Sequence, residues 1–210
     1  MSKKGITVLL FLFSVLSVHS QLSWNAKAGM NLSNVTDWDD VDMKLGYQFG
    51  VGMDYYFNDH WGIQPSLMLI SKGYKDKGDY SYPSDWEGDV EYKSYKSTEN
   101  RVYLEMPVML AYRFNVADNM KLVLNGGGYI SYGIAGKYNK TYTFVDGSGF
   151  EDKADTFSGD KEKFDTGVGA GITFEYKSRY TVGLIGEWGL KKVIRNTQNR
   201  TYGLSVGYKF

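Results

Sequence analysis

The sequence has no cysteine, two histidines and three prolines in 210 residues, and its 24 basic side chains are matched by 24 acidic ones. Each shortage removes a class of chemistry. Without cysteine there is no disulfide scaffold, thiolate zinc site or cysteine nucleophile, and a balanced charge gives no electrostatic reason to expect nucleic acid as a partner. His19 falls in a segment read below as a leader, which leaves His60 alone, too few for a histidine-built metal site. Beyond that leader no run approaches the roughly 18 apolar residues of a spanning helix, and none keeps i, i+3, i+4, i+7 spacing for more than a turn or two.

Residues 1–20 place Lys3 and Lys4 ahead of an apolar stretch from Ile6 to Val18, with Val18 and Ser20 three and one before Gln21. That three-part pattern predicts a secretory signal peptide, cleaved after Ser20. As a helix the apolar stretch would reach only about 20 Å, short of a hydrocarbon layer of about 30 Å. Losing Lys3 and Lys4 leaves a mature chain, 21–210, with a formal charge of −2.

What the sequence has in abundance is glycine, 25 residues, and aromatic side chains, 16%. Both fall into a period of two. In 44–57, Leu45, Tyr47, Phe49, Val51, Met53, Tyr55 and Phe57 alternate with Gly46, Gln48, Gly50, Gly52, Asp54 and Tyr56. The same alternation recurs near 23–33, 61–73, 100–114, 121–136, 164–176, 180–191 and 200–210. The pattern predicts eight strands, joined by connectors that alternate between short (58–60, 115–120, 177–179) and long (34–43, 74–99, 137–163), with 192–199 intermediate.

These segments are longer than the 5 or so residues usual for soluble strands and match the ~9–11 needed to cross a bilayer at a tilt. The apolar face is continuous, while the other is small and polar: Asp165, Gly167, Gly169, Gly171, Thr173 and Glu175 in one strand, Thr201, Gly203, Ser205, Gly207 and Lys209 in another. Such a face suits the bore of an eight-stranded barrel, which has room only for side chains. The expected fold is therefore all-β, an eight-stranded antiparallel up-and-down transmembrane β-barrel. Trp24, Tyr55, Phe57, Trp61, Tyr112, Phe114, Tyr176, Tyr180, Tyr208 and Phe210 gather at the short-turn end, as an aromatic girdle at a membrane–water boundary would.

The strand Tyr103-Leu104-Glu105-Met106-Pro107-Val108-Met109-Leu110-Ala111-Tyr112 resembles the "YLE-x-P" strand of the PorT-like outer-membrane β-barrel family of Bacteroidetes. Gly128–Gly133, Asp165–Gly171 and Gly189–Val193 follow in matching order, although Lys192 stands where the family pattern has Asn. The resemblance implies an outer-membrane barrel with both termini in the periplasm and large loops at the cell surface. It also implies that the strand ending in Phe210 is read by the barrel-assembly machinery. One branch of the family serves secretion and gliding.

Strand parity points Lys27, Gln48, Asp54, Gln64, Glu105, Arg113, Asn125, Glu175, Glu187 and Lys209 into the bore, where buried charge has to be paired. The set is expected to be a structural polar network rather than a conducting pore. Asp37, Asp39, Asp40 and Asp42 read as a solvated acidic loop, since a calcium loop counted from Asp37 would want Gly where Asp42 stands and Glu where Gln48 stands. Gly126–Gly128 and Gly167–Gly171 lack the following helix of a phosphate cradle. His60, in a short turn, is badly placed for proton transfer at the opposite mouth. No cofactor and no enzymatic activity are expected. The aromatic residues of 74–99 and 137–163 fit either a glycan or protein recognition surface or strands that run on beyond the membrane. The expected role is a structural or surface-loop scaffold in outer-membrane lipid, with a secretion or gliding component and a soluble ligand-binding barrel as alternatives.

Overall fold

A computed structural model describes residues 21–36, 41–79, 92–157, 163–192 and 197–210. Residues 1–20, expected to be a leader, and Asp37, Asp39, Asp40, Tyr80, Tyr82 and Trp86 lie outside the described residues. Among the described residues nine strands follow in order: β1 (Gln21–Val35), β2 (Val41–Tyr56), β3 (Trp61–Asp79), β4 (Tyr92–Ala117), β5 (Met120–Phe144), β6 (Gly149–Asp155), β7 (Phe164–Tyr176), β8 (Tyr180–Gly189) and β9 (Asn199–Lys209). Eight of them pair antiparallel with their neighbours and close a ring, β1-β2-β3-β4-β5-β7-β8-β9, sealed by the pairing of β9 with β1. The ninth, β6, stands outside the ring and pairs only with the far part of β5.

Alternation decides which way each side chain points. Leu45, Tyr47, Phe49 and Val51 are exposed on the outer face, while Gln48 and Asp54 on the same strand are buried. In β9, Tyr202, Leu204, Val206 and Tyr208 face out and Thr201 and Lys209 face in. A soluble barrel would bury its apolar row; here the row is the outside. Along β7 the outward residues from Phe164 to Tyr176 span about 40 Å of strand, or about 28 Å of height at a 45° tilt, close to the ~25 Å apolar band of outer-membrane barrels.

The bore is filled partly by subtraction. A Cβ added at Gly127 would collide with the carbonyl oxygen of Val108 and lie 2.9 Å from the Cα of Met109, so β4 and β5 approach there only because the residue is glycine. Gly126 and Gly128, on the outer face, meet nothing closer than 3.4 Å.

Three strands outrun the predicted 61–73, 100–114 and 121–136: β3 runs on to Asp79, β4 begins at Tyr92 and β5 continues to Phe144. The apolar period ended before the strands did. Past the belt the outward residues of β4 and β5 become Lys96, Thr98, Lys137, Asn139 and Thr141, so the hydrogen-bonded ladder continues without its greasy signature. A register shift opposite Val102 and Tyr103 leaves Ile134 as an extra residue where barrel passes into extension. Much of the two predicted long loops is therefore hairpin.

Candidate functional site

Three structured regions offer chemistry: two charged layers in the bore and the sheet that rises above the long-strand end. The lower layer lies near the short turns. Lys209 of β9 reaches Asp54 of β2 at 2.6 Å and also Glu175 of β7, and Asn25 donates to Asp54 at 3.1 Å. The Arg113 guanidinium lies 4.0 Å over the Tyr56 ring and donates from Nε to the Asp59 carbonyl at 3.2 Å. Above this layer a cavity of about 100 Å³ is lined by Lys27, Gln48, Gln64, Asn125, Ser205 and Glu187. Its wall is mixed, with Met68, Ile70 and Val123 between these polar groups, and it has room for a few waters, each of which needs ~10–15 Å³.

The upper layer closes the cavity from the other side. Lys72 of β3 bridges Glu105 of β4 at 2.6 Å and Glu187 of β8 at 3.1 Å, with its ammonium 4.3 Å from the Tyr129 ring centroid. The chain of contacts then runs on around the wall. Tyr129 donates to Asp165 at 3.4 Å, Asn199 donates to Asp165 at 2.7 Å, Arg101 donates to Asn199 at 3.2 Å, and Arg101 Nε donates to Glu99 at 2.9 Å. At the mouth, the Phe157 ring fills the space a side chain at Gly133 would take and meets Tyr103 edge-on at 5.8 Å.

The buried charges nearly balance: Asp54, Glu99, Glu105, Asp165, Glu175 and Glu187 against Lys44, Lys72, Arg101, Arg113 and Lys209, with half-buried Lys27 as a sixth base. That balance is what lets ions sit in a low-dielectric bore. The structure brings nine of the ten parity-selected residues to the cavity wall and puts Arg113 beneath it. Lys72, Glu99, Arg101 and Asn199 were not singled out, and Asp165 was placed on the bore face without a role, yet the parity that turned Glu105 and Arg113 inward also turns Arg101 and Glu99 inward, and Gln64 carries Lys72 with it. They stood at or beyond segment ends taken as loop margins.

The aromatic residues of the short-turn end form contacts on the outer face. Trp61 and Phe114 each pack edge-on against Tyr112 at 4.7 Å, Tyr180 meets Tyr208 at 5.5 Å, and Tyr55 lies 6.3 Å from Phe57. Trp24, Tyr176 and Phe210 are exposed beside them. At the other end Trp188 and Tyr202 pair at 6.4 Å, with Tyr47 and Tyr132 also exposed, so outward aromatics occur at both limits of the apolar belt. His60 stacks on Tyr112 at 5.5 Å, and its Nδ1 lies 3.0 Å from the Arg113 carbonyl. It ties the β2–β3 turn to β4.

Beyond the belt, β3, β4, β5 and β6 form a four-stranded sheet. Register sets Gly78, Tyr95, Tyr142 and Phe150 side by side, one per strand, and sets Asp76, Ser97, Lys140 and Asp152 in the row beneath. The Lys140 ammonium lies 4.8 Å from the Tyr95 ring and 4.7 Å from the Tyr142 ring. Tyr95 lies across Gly78, where a Cβ would come within 2.5 Å of its ring, and donates to Asp76 at 3.2 Å. The β5–β6 turn is held by Asp146, which accepts from Ser148 N at 2.8 Å and Ser148 Oγ at 2.6 Å, bonds that keep its carboxyl below the usual range. Gly147 takes the left-handed conformation at φ 82°. Asp42, the described member of the acidic loop, pairs with Lys77 at 3.2 Å.

The family model described as outer membrane protein beta-barrel domain matches residues 14–195. No curated protein sequence matches the chain. Among solved structures the chain is similar to Ail, the attachment invasion locus protein of Yersinia pestis, with 15% identity, 90% of this chain and 97% of that chain covered, and a TM-score of 0.44. It is similar to OprG from Pseudomonas aeruginosa with 14% identity, 91% and 97% coverage and a TM-score of 0.44. Neisserial surface protein A is similar at 14% identity, 91% and 99% coverage and a TM-score of 0.40.

Proposed function

The chain belongs to the outer membrane protein beta-barrel domain family and resides in the outer membrane, and from that premise we propose that it is a non-enzymatic scaffold that presents the β3–β6 sheet at the cell surface. The short turns at 57–60, 118–119 and 177–179 then face the periplasm with both chain ends, the usual arrangement of turns and loops in such barrels. The observation that carries this reading is the ordered sheet beyond the belt. A protein that only filled membrane would gain nothing from continuing β4 and β5 far past the hydrocarbon and laying an aromatic row across them.

The bore serves as ballast for that display. Its two charged layers lie above and below the small cavity, and each spans several strands, so they tie opposite walls together rather than lining a channel. The engagement of His60 with the Tyr112 ring and the Arg113 carbonyl in a short turn supports the non-enzymatic reading. The YLE-x-P strand supports the fold more than the secretion or gliding branch: Tyr103 is buried against Phe157, and Glu105 is the partner of Lys72. Co-purification with a secretion complex would move the protein into that branch.

The test is to replace residues 141–151 with an Asn-Gly turn, keeping the Lys140–Asp152 register pair as the new hairpin end. The scaffold reading expects normal heat-modifiable migration on gels and loss of adhesion by expressing cells to surfaces coated with glycans or proteins. Unchanged adhesion refutes it.

A further inference from the structure

We propose that the bore-side face of the β3–β6 sheet, the face that β4 shares with Ser97 and Glu99, is a binding platform for uncharged glycans, an inference that rests on the scaffold reading and names the class of its ligand. Three observations select that class.

The first is the row itself. Tyr95, Tyr142 and Phe150 are direct register neighbours on three consecutive strands, so their rings line up over two strand spacings, about 10 Å, roughly the length of two linked pyranose units. Phe150, at the free edge, is 57% exposed. The Tyr95 end of the row is also preorganised, its ring pressed onto Gly78, so little ordering of that ring accompanies binding.

The second is what surrounds the rings. The adjoining row supplies Asp76, Lys140 and Asp152, which are charged acceptors and a donor in the same plane. A sugar ring presents a C–H face to an aromatic ring and a rim of hydroxyls to such groups. A protein hot spot sits in a well-packed, fully desolvated pocket, whereas this row runs out to a free edge where Phe150 stands open to water.

The third is charge. In the row beside the rings two carboxylates, Asp76 and Asp152, stand against one ammonium, Lys140. Sulfated, phosphorylated or sialylated chains would meet net repulsion.

The experiment probes a printed array of neutral, N-acetylated, sialylated and sulfated oligosaccharides with the full-length mature protein in lipid nanodiscs. It compares wild type with a Tyr142→Ala/Phe150→Ala variant and with Lys75→Ala/Lys77→Ala on the opposite face of the sheet, each first shown to be folded by heat-modifiable migration. The expected result is selective binding of neutral or N-acetylated glycans, weakened about tenfold or more by loss of the two rings and unchanged by loss of the two lysines. Binding confined to sulfated or sialylated glycans overturns the charge argument. Binding indifferent to Tyr142 and Phe150 overturns the location. No glycan bound at all, while the 141–151 replacement still abolishes adhesion to protein-coated surfaces, overturns the glycan inference and leaves the scaffold reading standing.

Discussion

Replacing Lys72 with methionine removes the one cation shared by two carboxylates that are almost wholly buried. Glu105 and Glu187 both touch its nitrogen, at 2.6 and 3.1 Å, so in its absence their oxygens face each other at no more than about 6 Å. Each contact near 3 Å contributes roughly 5 kcal/mol at an effective dielectric near 20. Most of that offsets the desolvation of three ions, so the intact triad is close to neutral for stability. Breaking it is different, because the carboxylates stay buried without their partner, and such losses cost about 3–5 kcal/mol. The expected result is a Lys72→Met barrel less stable by that amount in urea unfolding from phosphatidylcholine vesicles, followed by tryptophan emission and gel migration. The triple variant Lys72→Met/Glu105→Gln/Glu187→Gln is expected to return to within about 1–2 kcal/mol of wild type, since no charge is then left unpaired. A Lys72→Met loss below about 1 kcal/mol, or a triple variant no better than the single, would refute the view that paired charge holds the walls together.

Three further outcomes follow from local geometry. Gly127→Ala, whose Cβ would collide with Val108 O, is expected to abolish most folding on gels, while Gly126→Ala and Gly128→Ala on the outer face fold normally. Lys177 and Ser178 sit in the β7–β8 turn at φ 51° and 54°, so Lys177→Asn/Ser178→Gly is expected to stabilise the barrel by about 1 kcal/mol in the same urea assay, the relief exceeding the lost Lys121–Ser178 contact. His60→Ala loses its tie to Arg113 and its stacking on Tyr112, and is expected to lower stability by about 1 kcal/mol without altering surface adhesion.

How much of this was legible in the sequence depends on where each residue sits relative to the bilayer. Inside the belt, lipid on one side and a narrow bore on the other force every strand into strict alternation, so parity alone turned Glu105, Glu175, Glu187 and Lys209 inward. Above the belt both faces meet water, and nothing obliges Lys96 or Asn139 to be apolar; the strand persists through its hydrogen bonds, which composition does not report. That is why β6 and the upper halves of β4 and β5 fell outside the periodic segments and stood only as one of two alternatives, strands running on beyond the membrane, which the ladders bear out. It is also why Arg101 and Asn199 were passed over: parity covered the first, but its partner lay in a stretch with no period. Partner choice was the least legible. That Lys72 would serve both Glu105 and Glu187 depends on which strands face each other across the ring, and Lys72, Glu105 and Glu187 come from β3, β4 and β8, with no local signal joining them.

The central claim is the direction of the side chains, and the absence of cysteine makes it measurable, since each single Cys substitution gives one labelling site. Nitroxide labels at Leu184 and Val206, 61% and 60% exposed on the outer face, and at Thr173 and Ser205 on the cavity wall are compared in bilayers by electron paramagnetic resonance with oxygen and a water-soluble nickel chelate as relaxants. The account predicts that labels at 184 and 206 relax with oxygen and ignore the chelate, whereas labels at 173 and 205 are shielded from both. Chelate access at 184 and 206, with oxygen-rich surroundings at 173 and 205, would contradict it.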